Sequence, residues 1–355
     1  MTVPPPSITA AADLLSKCTG QQVTIPSLFS LSPAWKPRLN QDYNICVQAN
    51  LDVWLHKYIT GESSLRRSHQ TDAPFFVRTL YPEAGLKELY TLAKFYCWLF
   101  AWDDVVDYHE FKDQSQTREI YRSETITCIQ KSLCSKHSYN PVVLAPTYKM
   151  ARGFYEIGRE ICEGVKNETV RHLIANSLCD YVNTVINVQA SLDSGEVPSL
   201  DIYLDTRTMT SAISYAYHLD LPDWLLYDDL VRKLMKHANL FVSIGNDIIS
   251  LRNEMTNGHV DNIVPLLMHH EGIEPQQAVT RAVQMVTKSY MTLQDLESQI
   301  NQAVVGDEGS CDIKRFLRGC VDACIGSVNW TYTTKRYFDL DPDRRMADIT
   351  ITLID

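Results

Sequence analysis

The feature that most constrains this chain is helical periodicity. In "NQDYNICVQANLDVWLHKYI", Val47, Leu51, Trp54, Leu55 and Tyr58 recur at i, i+4, i+7, i+8 and i+11, which is one face of an α-helix. Similar spacing predicts helices over 84–107, 141–165, 168–192, 207–218, 224–255, 275–302 and 311–337. Breaks fall where helix punctuation predicts them, at "DSGEVPSLD" (193–201), "LDLPDW" (219–224), "TNGHVDN" (256–262) and "VVGDEGSCD" (304–312). No alternating Val/Ile/Thr run bounded by turn residues competes. No break is long enough to be a linker, so the reading is one all-α domain over residues 39–355, with roughly ten helices at ordinary lengths. Prolines at 4, 5, 6, 26, 33 and 37 predict an irregular N-terminal arm over residues 1–38.

Composition excludes several function classes. With 45% hydrophobic and 21% charged residues the chain reads as globular. The formal charge of −10 argues against nucleic acid or an anionic membrane surface as partner, because both are bound through clustered Lys and Arg. An anionic substrate would need metal cations as intermediaries. The ten cysteines form no CxxC pair, and the N-terminus lacks a basic start followed by an apolar run. Reduced thiols in a cytoplasmic protein are the expectation, with no membrane span.

Two constellations carry chemistry. In "FAWDDVVDYHEF", Asp103 and Asp107 are four apart and project from one helix face with Asp104 beside them. Tyr96, Leu99, Phe100 and Leu92 continue that face as an apolar wall. Like charges at this spacing repel unless a cation joins them, and hard carboxylate oxygens suit Mg²⁺. An ordinary solvated acidic helix end is the bland alternative. Asp228 and Asp229 in "YDDLVRK" illustrate it, because Arg232 stands where a third carboxylate would be, and that pair reads as surface.

The second constellation is "NDIISLRNEM", where Asn246, Ser250 and Glu254 lie at i, i+4 and i+8. An amide oxygen, a hydroxyl and a carboxylate along one stripe make a chelate for one hard cation. Polar triplets at this spacing also occur on exposed faces, but the longer pattern coincides here with the aspartate motif after a second apolar run, "LFVSIG".

On an all-helical chain of this size, "DDVVD" with "NDIISLRNE" resembles the class I terpene synthases (terpene cyclases) of the single-domain fungal and bacterial type. The similarity spans about residues 40 to 340. It implies a helical barrel around a central apolar cavity, with Asp103, Asp107, Asn246, Ser250 and Glu254 holding a cluster of three Mg²⁺ ions at its mouth. It implies a prenyl diphosphate substrate, farnesyl diphosphate foremost, ionised to an allylic cation and cyclised to a sesquiterpene. Within "SGEVPSLDIYLDTRTMTS" the diphosphate-sensing arginine falls on Arg207, followed by a helix break near Thr210 and Ser211 that helps trigger ionisation. "NWTYTTKRYF" matches the terminal Arg-Tyr pair at Arg336 and Tyr337.

The family often has Lys before the motif glutamate, where this chain has Asn253, so Lys335 is considered as a substitute diphosphate contact. Phe76, Tyr96, Leu99, Phe100 and Trp330 are the candidate cavity residues, since aromatic faces steady a passing cation. The resemblance also admits a homodimer. Three alternatives stay open: a diterpene cyclase using geranylgeranyl diphosphate, a chain-elongating prenyltransferase, which would need a second aspartate-rich motif at 246–254, and a catalytically silent helical scaffold.

Overall fold

In a computed structural model of the protein, the described residues are 9–43, 45–107, 115–134, 147–193, 195, 197–210, 228–303, 310–338 and 344–355. They fold as α-helices with one small sheet, as the periodicity predicts. Helices α1 (Ala10–Cys18), α2 (Leu28–Leu31), α3 (Ile45–Tyr58), α4 (Glu62–Thr71) and α5 (Ala73–Leu80) precede α6 (Leu86–Asp107), α7 (Ser115–Cys134), α8 (Lys149–Gly164) and α9 (Glu168–Asp193). Then come α10 (Leu200–Thr210), α11 (Asp229–Thr256), α12 (Ile263–Glu271), α13 (Pro275–Ala303) and α14 (Ser310–Thr333). Among the described residues no helix is long and apolar enough to cross a membrane.

The N-terminal segment differs from the irregular arm expected over 1–38. Thr9 caps α1 by accepting from the Ala12 amide at 3.3 Å. Strand β1 (Gln22–Ile25) then pairs antiparallel with β2 (Ile349–Thr352), in a register that sets Val23 opposite Ile351. Val23, Ile25 and Ile351 are buried, so the β1–β2 pair is packed onto the core. Four-residue strands are too short to announce themselves by alternation, and their partners are separated by almost the whole chain.

Core packing explains which helices the periodicity missed. Helix α4 is polar along most of its length (ESSLRRSHQT), and α7 buries Arg118 and Thr125 together with Tyr121, Cys128, Ile129 and Leu133, so neither shows a clean apolar stripe. Helices α5 and α14 approach until backbones touch. A Cβ on Gly326 would lie 2.4 Å from the Thr79 carbonyl oxygen, and Thr79 Oγ1 donates to the Gly326 carbonyl at 3.1 Å. Asp228, expected as plain surface, is the N-cap of α11 and accepts from the Leu230 and Val231 amides at 2.8 and 3.1 Å. Asp229 is exposed and pairs with Arg232 at 2.6 Å.

Candidate active site

Helices α5, α6, α9, α10, α11 and α14 surround a cavity of about 550 Å³. Its α6 wall is the stripe Tyr96, Leu99, Phe100 and Asp103, spaced i, i+3, i+4 and i+7 on one helix face. Leu92, one turn earlier, is half-buried against the core and does not line the cavity. Phe76 from α5 and Trp330 from α14 complete an aromatic cluster. The Phe76 ring lies 4.7 Å from Trp330, 4.8 Å from Tyr96 and 5.6 Å from Phe100, and Phe100 stacks on Trp330 at 5.4 Å. The indole N–H of Trp330 donates to the Thr71 carbonyl at 2.7 Å, which satisfies its polar atom and fixes the ring.

Adjacent aspartates at the end of α6 are sent to different partners. Asp103 faces the cavity and accepts from Tyr181 Oη of α9 at 2.9 Å. Asp104, about 100° further round the helix, is buried and accepts from Arg336 Nη2 at 3.0 Å, with Arg67 Nε at 3.6 Å. Asp107 is the last residue of α6, and its side chain lies outside the described residues. Ser211 lies outside them too, while Thr210 lines the cavity as the last described residue of α10.

On α11, Asn246 and Glu254 line the same cavity as Asp103. The Asn246 amide is oriented from both sides: Nδ2 donates to Tyr337 Oη at 3.0 Å, and Oδ1 accepts from Arg207 Nη2 at 3.2 Å. Glu254 accepts from Asn262 Nδ2 at 2.8 Å. Ser250, although midway between them on the stripe, is buried and does not line the cavity. Its Oγ donates to the Asn246 carbonyl at 2.8 Å. Arg207, Arg336 and Tyr337 all reach the cavity wall, whereas Lys335 is exposed and does not. The Arg336 guanidinium sits 5.6 Å from the centre of the Phe100 ring.

These carboxyl groups fit a hard cation. Burial pushes Asp103 up to about 6, with the charge of Asp104 adding to it, despite the stabilising bond from Tyr181. Burial likewise pushes Glu254 up to about 7, reinforced by the like charges of Asp247 and Asp261. Two carboxyls whose ionisation burial disfavours, one on α6 and one on α11, line the cavity with the Asn246 amide and form an oxygen-only donor set that a divalent cation would satisfy. Among the described residues no group of three or more His, Cys, Asp or Glu assembles as a site by itself. The donors converge singly from two helices, and part of the set is an amide.

Sequence reasoning missed the residues that hold this set in place. Asp247 lies inside the quoted motif but drew no role. It is buried and accepts from Arg207 Nε at 3.0 Å, Arg207 Nη2 at 2.5 Å and Tyr203 Oη at 2.5 Å. Tyr181 and Asn262 were missed as well. A buried acid one residue from a motif position is a signal only once the partner helix is known.

A terpene cyclase from Annulohypoxylon truncatum is 25% identical over 337 residues, covering 92% of this chain and 88% of that protein. A sesquiterpene synthase from Cyclocybe aegerita is 27% identical over 296 residues, covering 80% of each. Among solved structures, the linalool/nerolidol synthase from Streptomyces clavuligerus superposes with a TM-score of 0.71 at 18% identity, over 83% of this chain and 98% of that one. The model of terpene synthase family 2, C-terminal metal binding, matches residues 94–292, which is more than half of the chain and includes both Asp103 and the 246–254 stripe. The chain therefore belongs to that family and is a terpene synthase.

Proposed function

We propose that the protein is a Mg²⁺-dependent cyclase that ionises farnesyl diphosphate, cyclises the resulting cation to a sesquiterpene and releases diphosphate. The observation that carries this reading is that Asp103 of α6 and Asn246 and Glu254 of α11 line one cavity together with an aromatic and aliphatic group that includes Phe76, Leu99, Phe100 and Trp330. Asp103, Asp107, Asn246, Ser250 and Glu254 are the side chains that would hold the metal; the Ser250 hydroxyl donates to the Asn246 carbonyl and keeps its lone pairs for a cation. When bound, Mg²⁺ neutralises charge on the departing diphosphate.

The chain's own residues supply the rest. Arg207 and Arg336, far apart in the sequence, both line the cavity and bring guanidinium donors to phosphate oxygens there, and Tyr337 adds a hydroxyl. Thr210 closes the wall beside Arg207. Phe76, Tyr96, Phe100 and Trp330 offer ring faces to a cation without a nucleophile that would capture it. Enclosure keeps out water that would quench the cation early.

Most of the similar curated relatives are sesquiterpene synthases, and the Streptomyces clavuligerus enzyme was also solved in complex with 2-fluorogeranyl diphosphate. Asn, Ser and Glu at 246, 250 and 254, in place of a second aspartate-rich motif, favour cyclisation over chain elongation.

The test is incubation with geranyl, farnesyl or geranylgeranyl diphosphate and Mg²⁺, followed by gas chromatography and mass spectrometry. Farnesyl diphosphate alone should give a cyclic fifteen-carbon product, a chelator should abolish it, and added Mg²⁺ should restore it. Asn246→Ala should lose turnover by two orders of magnitude or more with its thermal midpoint close to wild type. Undiminished product from Asn246→Ala would refute the metal assignment.

A further inference from the structure

Asn246 and Asp247 are adjacent on α11, yet they face different ways. The helix turns by about 100° per residue, so Asn246 meets the cavity while Asp247 points at α10 and the start of α12. Both carboxylate oxygens of Asp247 are engaged there. Oδ1 accepts from Nε and Nη2 of Arg207 at 3.0 and 2.5 Å. Oδ2 accepts from Tyr203 Oη at 2.5 Å and from the Ile263 amide at 3.3 Å. Tyr203 and Arg207 are one helical turn apart on α10, so the carboxylate grips that helix at two levels.

The grip has a consequence for Arg207. Nε and Nη2 are committed to Asp247, with Nη2 shared to Asn246 Oδ1 at 3.2 Å, and among the described residues Nη1 takes no protein acceptor. Arg207 lines the cavity, so Nη1 is the donor it has left for an anion. An arginine without such a partner would spread over many rotamers and lose most of its value as a fixed fork.

The same residue reaches the other donor of the stripe. Asn262 donates one amide nitrogen both to the Asp247 carbonyl at 2.7 Å and to Glu254 Oε2 at 2.8 Å. That carbonyl is main-chain, so the link to Glu254 belongs to the α11 backbone, and the Asp247 carboxylate acts on Arg207 alone.

We propose that Asp247 is a positioning residue for diphosphate recognition: backed by Tyr203, its carboxylate holds Nε and Nη2 of Arg207 and leaves Nη1 for the anion. The inference rests on the proposed function, since it takes the anion to be the diphosphate of the substrate.

The experiment is calorimetric titration of the purified full chain with inorganic diphosphate in Mg²⁺, with thermal midpoints measured in parallel, for wild type, Tyr203→Phe, Asp247→Asn, Arg207→Met and the Tyr203→Phe/Arg207→Met double variant. Asp247→Asn should weaken diphosphate binding roughly ten- to a hundredfold, as loss of an outer-layer partner does. Tyr203→Phe keeps both charges and should weaken it about fivefold, with a lowered midpoint because a buried donor to the Asp247 carboxylate is lost. Its loss should vanish in the Arg207→Met background, because a group acting only through Arg207 has nothing left to position.

Binding within about twofold of wild type in both Tyr203→Phe and Asp247→Asn would overturn the role of Asp247. So would a Tyr203→Phe loss that persists undiminished without Arg207, the mark of a merely structural effect. Should Asp247→Asn fail to fold, the Tyr203→Phe cycle decides alone. If wild type converts farnesyl diphosphate while these variants match it in binding, only the positioning role falls; if wild type neither binds diphosphate nor converts any prenyl diphosphate, the proposed function falls and takes this inference with it.

Discussion

Two glycines of α14 give opposite forecasts for the same substitution. A Cβ at Gly326 would sit 2.4 Å from the Thr79 carbonyl oxygen, 2.7 Å from its carbon and 3.1 Å from the Leu80 amide, whereas one at Gly319 meets nothing within 4 Å. Ordinary contact begins near 3.4 Å, so Gly326→Ala forces α5 and α14 apart by about 1 Å. The obstacle is backbone, which cannot rotate away. Overpacking of this kind costs about 3 kcal/mol at the upper end of its range, and Ala recovers about 1 kcal/mol of helix propensity. Gly326→Ala should therefore destabilise by about 2 kcal/mol, and Gly319→Ala should stabilise by up to about 1 kcal/mol. Urea unfolding reads both as shifts in midpoint at unchanged slope. Because α5 carries Phe76, which packs 4.7 Å from Trp330 of α14, the Gly326→Ala protein should also give an altered ratio of products from farnesyl diphosphate. A Gly326→Ala protein as stable as wild type would refute the close helix approach and the cavity contour built on it.

Elsewhere the consequences are simpler. Lys94, on the outer face of α6, is buried with its Nζ on Glu160 and 4.3 Å from the Tyr90 ring, away from the cavity. Lys94→Met strands a partly wetted carboxylate and should cost about 2 to 3 kcal/mol in urea unfolding with the product profile unchanged; an unaltered midpoint would count against the buried pair. Burial raises the thiols of Cys97, Cys320 and Cys324, while Cys311 is exposed. Alkylation of the native protein followed by peptide mass mapping should therefore label Cys311 well before those three, and early labelling of Cys320 or Cys324 would contradict the packing of α14 against α11.

Local pattern was enough for the fold class and for the candidate donors. The apolar period over α3, α6, α9, α11, α13 and α14 places those helices within a few residues of their observed bounds, because a helix repeats every 3.6 residues and announces which side is buried. The same arithmetic puts Tyr96, Leu99, Phe100 and Asp103 on one stripe, and Asn246 with Glu254 on another. It could not reveal the short helices α1, α2, α5 and α12 or the β1–β2 pair, whose burial depends on segments far away in the chain.

Tertiary structure alone decided which polar group does what. Asp103 and Asp104 are equivalent by spacing, and their division rests on Tyr181, 78 residues away, and Arg336, 232 residues away. Ser250 fits the stripe by period and bonds the Asn246 carbonyl within its own helix, yet its burial off the cavity wall depends on the helices packed around α11. Arg207 is a lone arginine in sequence, and it becomes part of the site only because α10 crosses α11 at Asp247. Period fixes which residues share a face, since it is set by bonds within one helix; the partner across that face is chosen by how helices distant in the chain pack together.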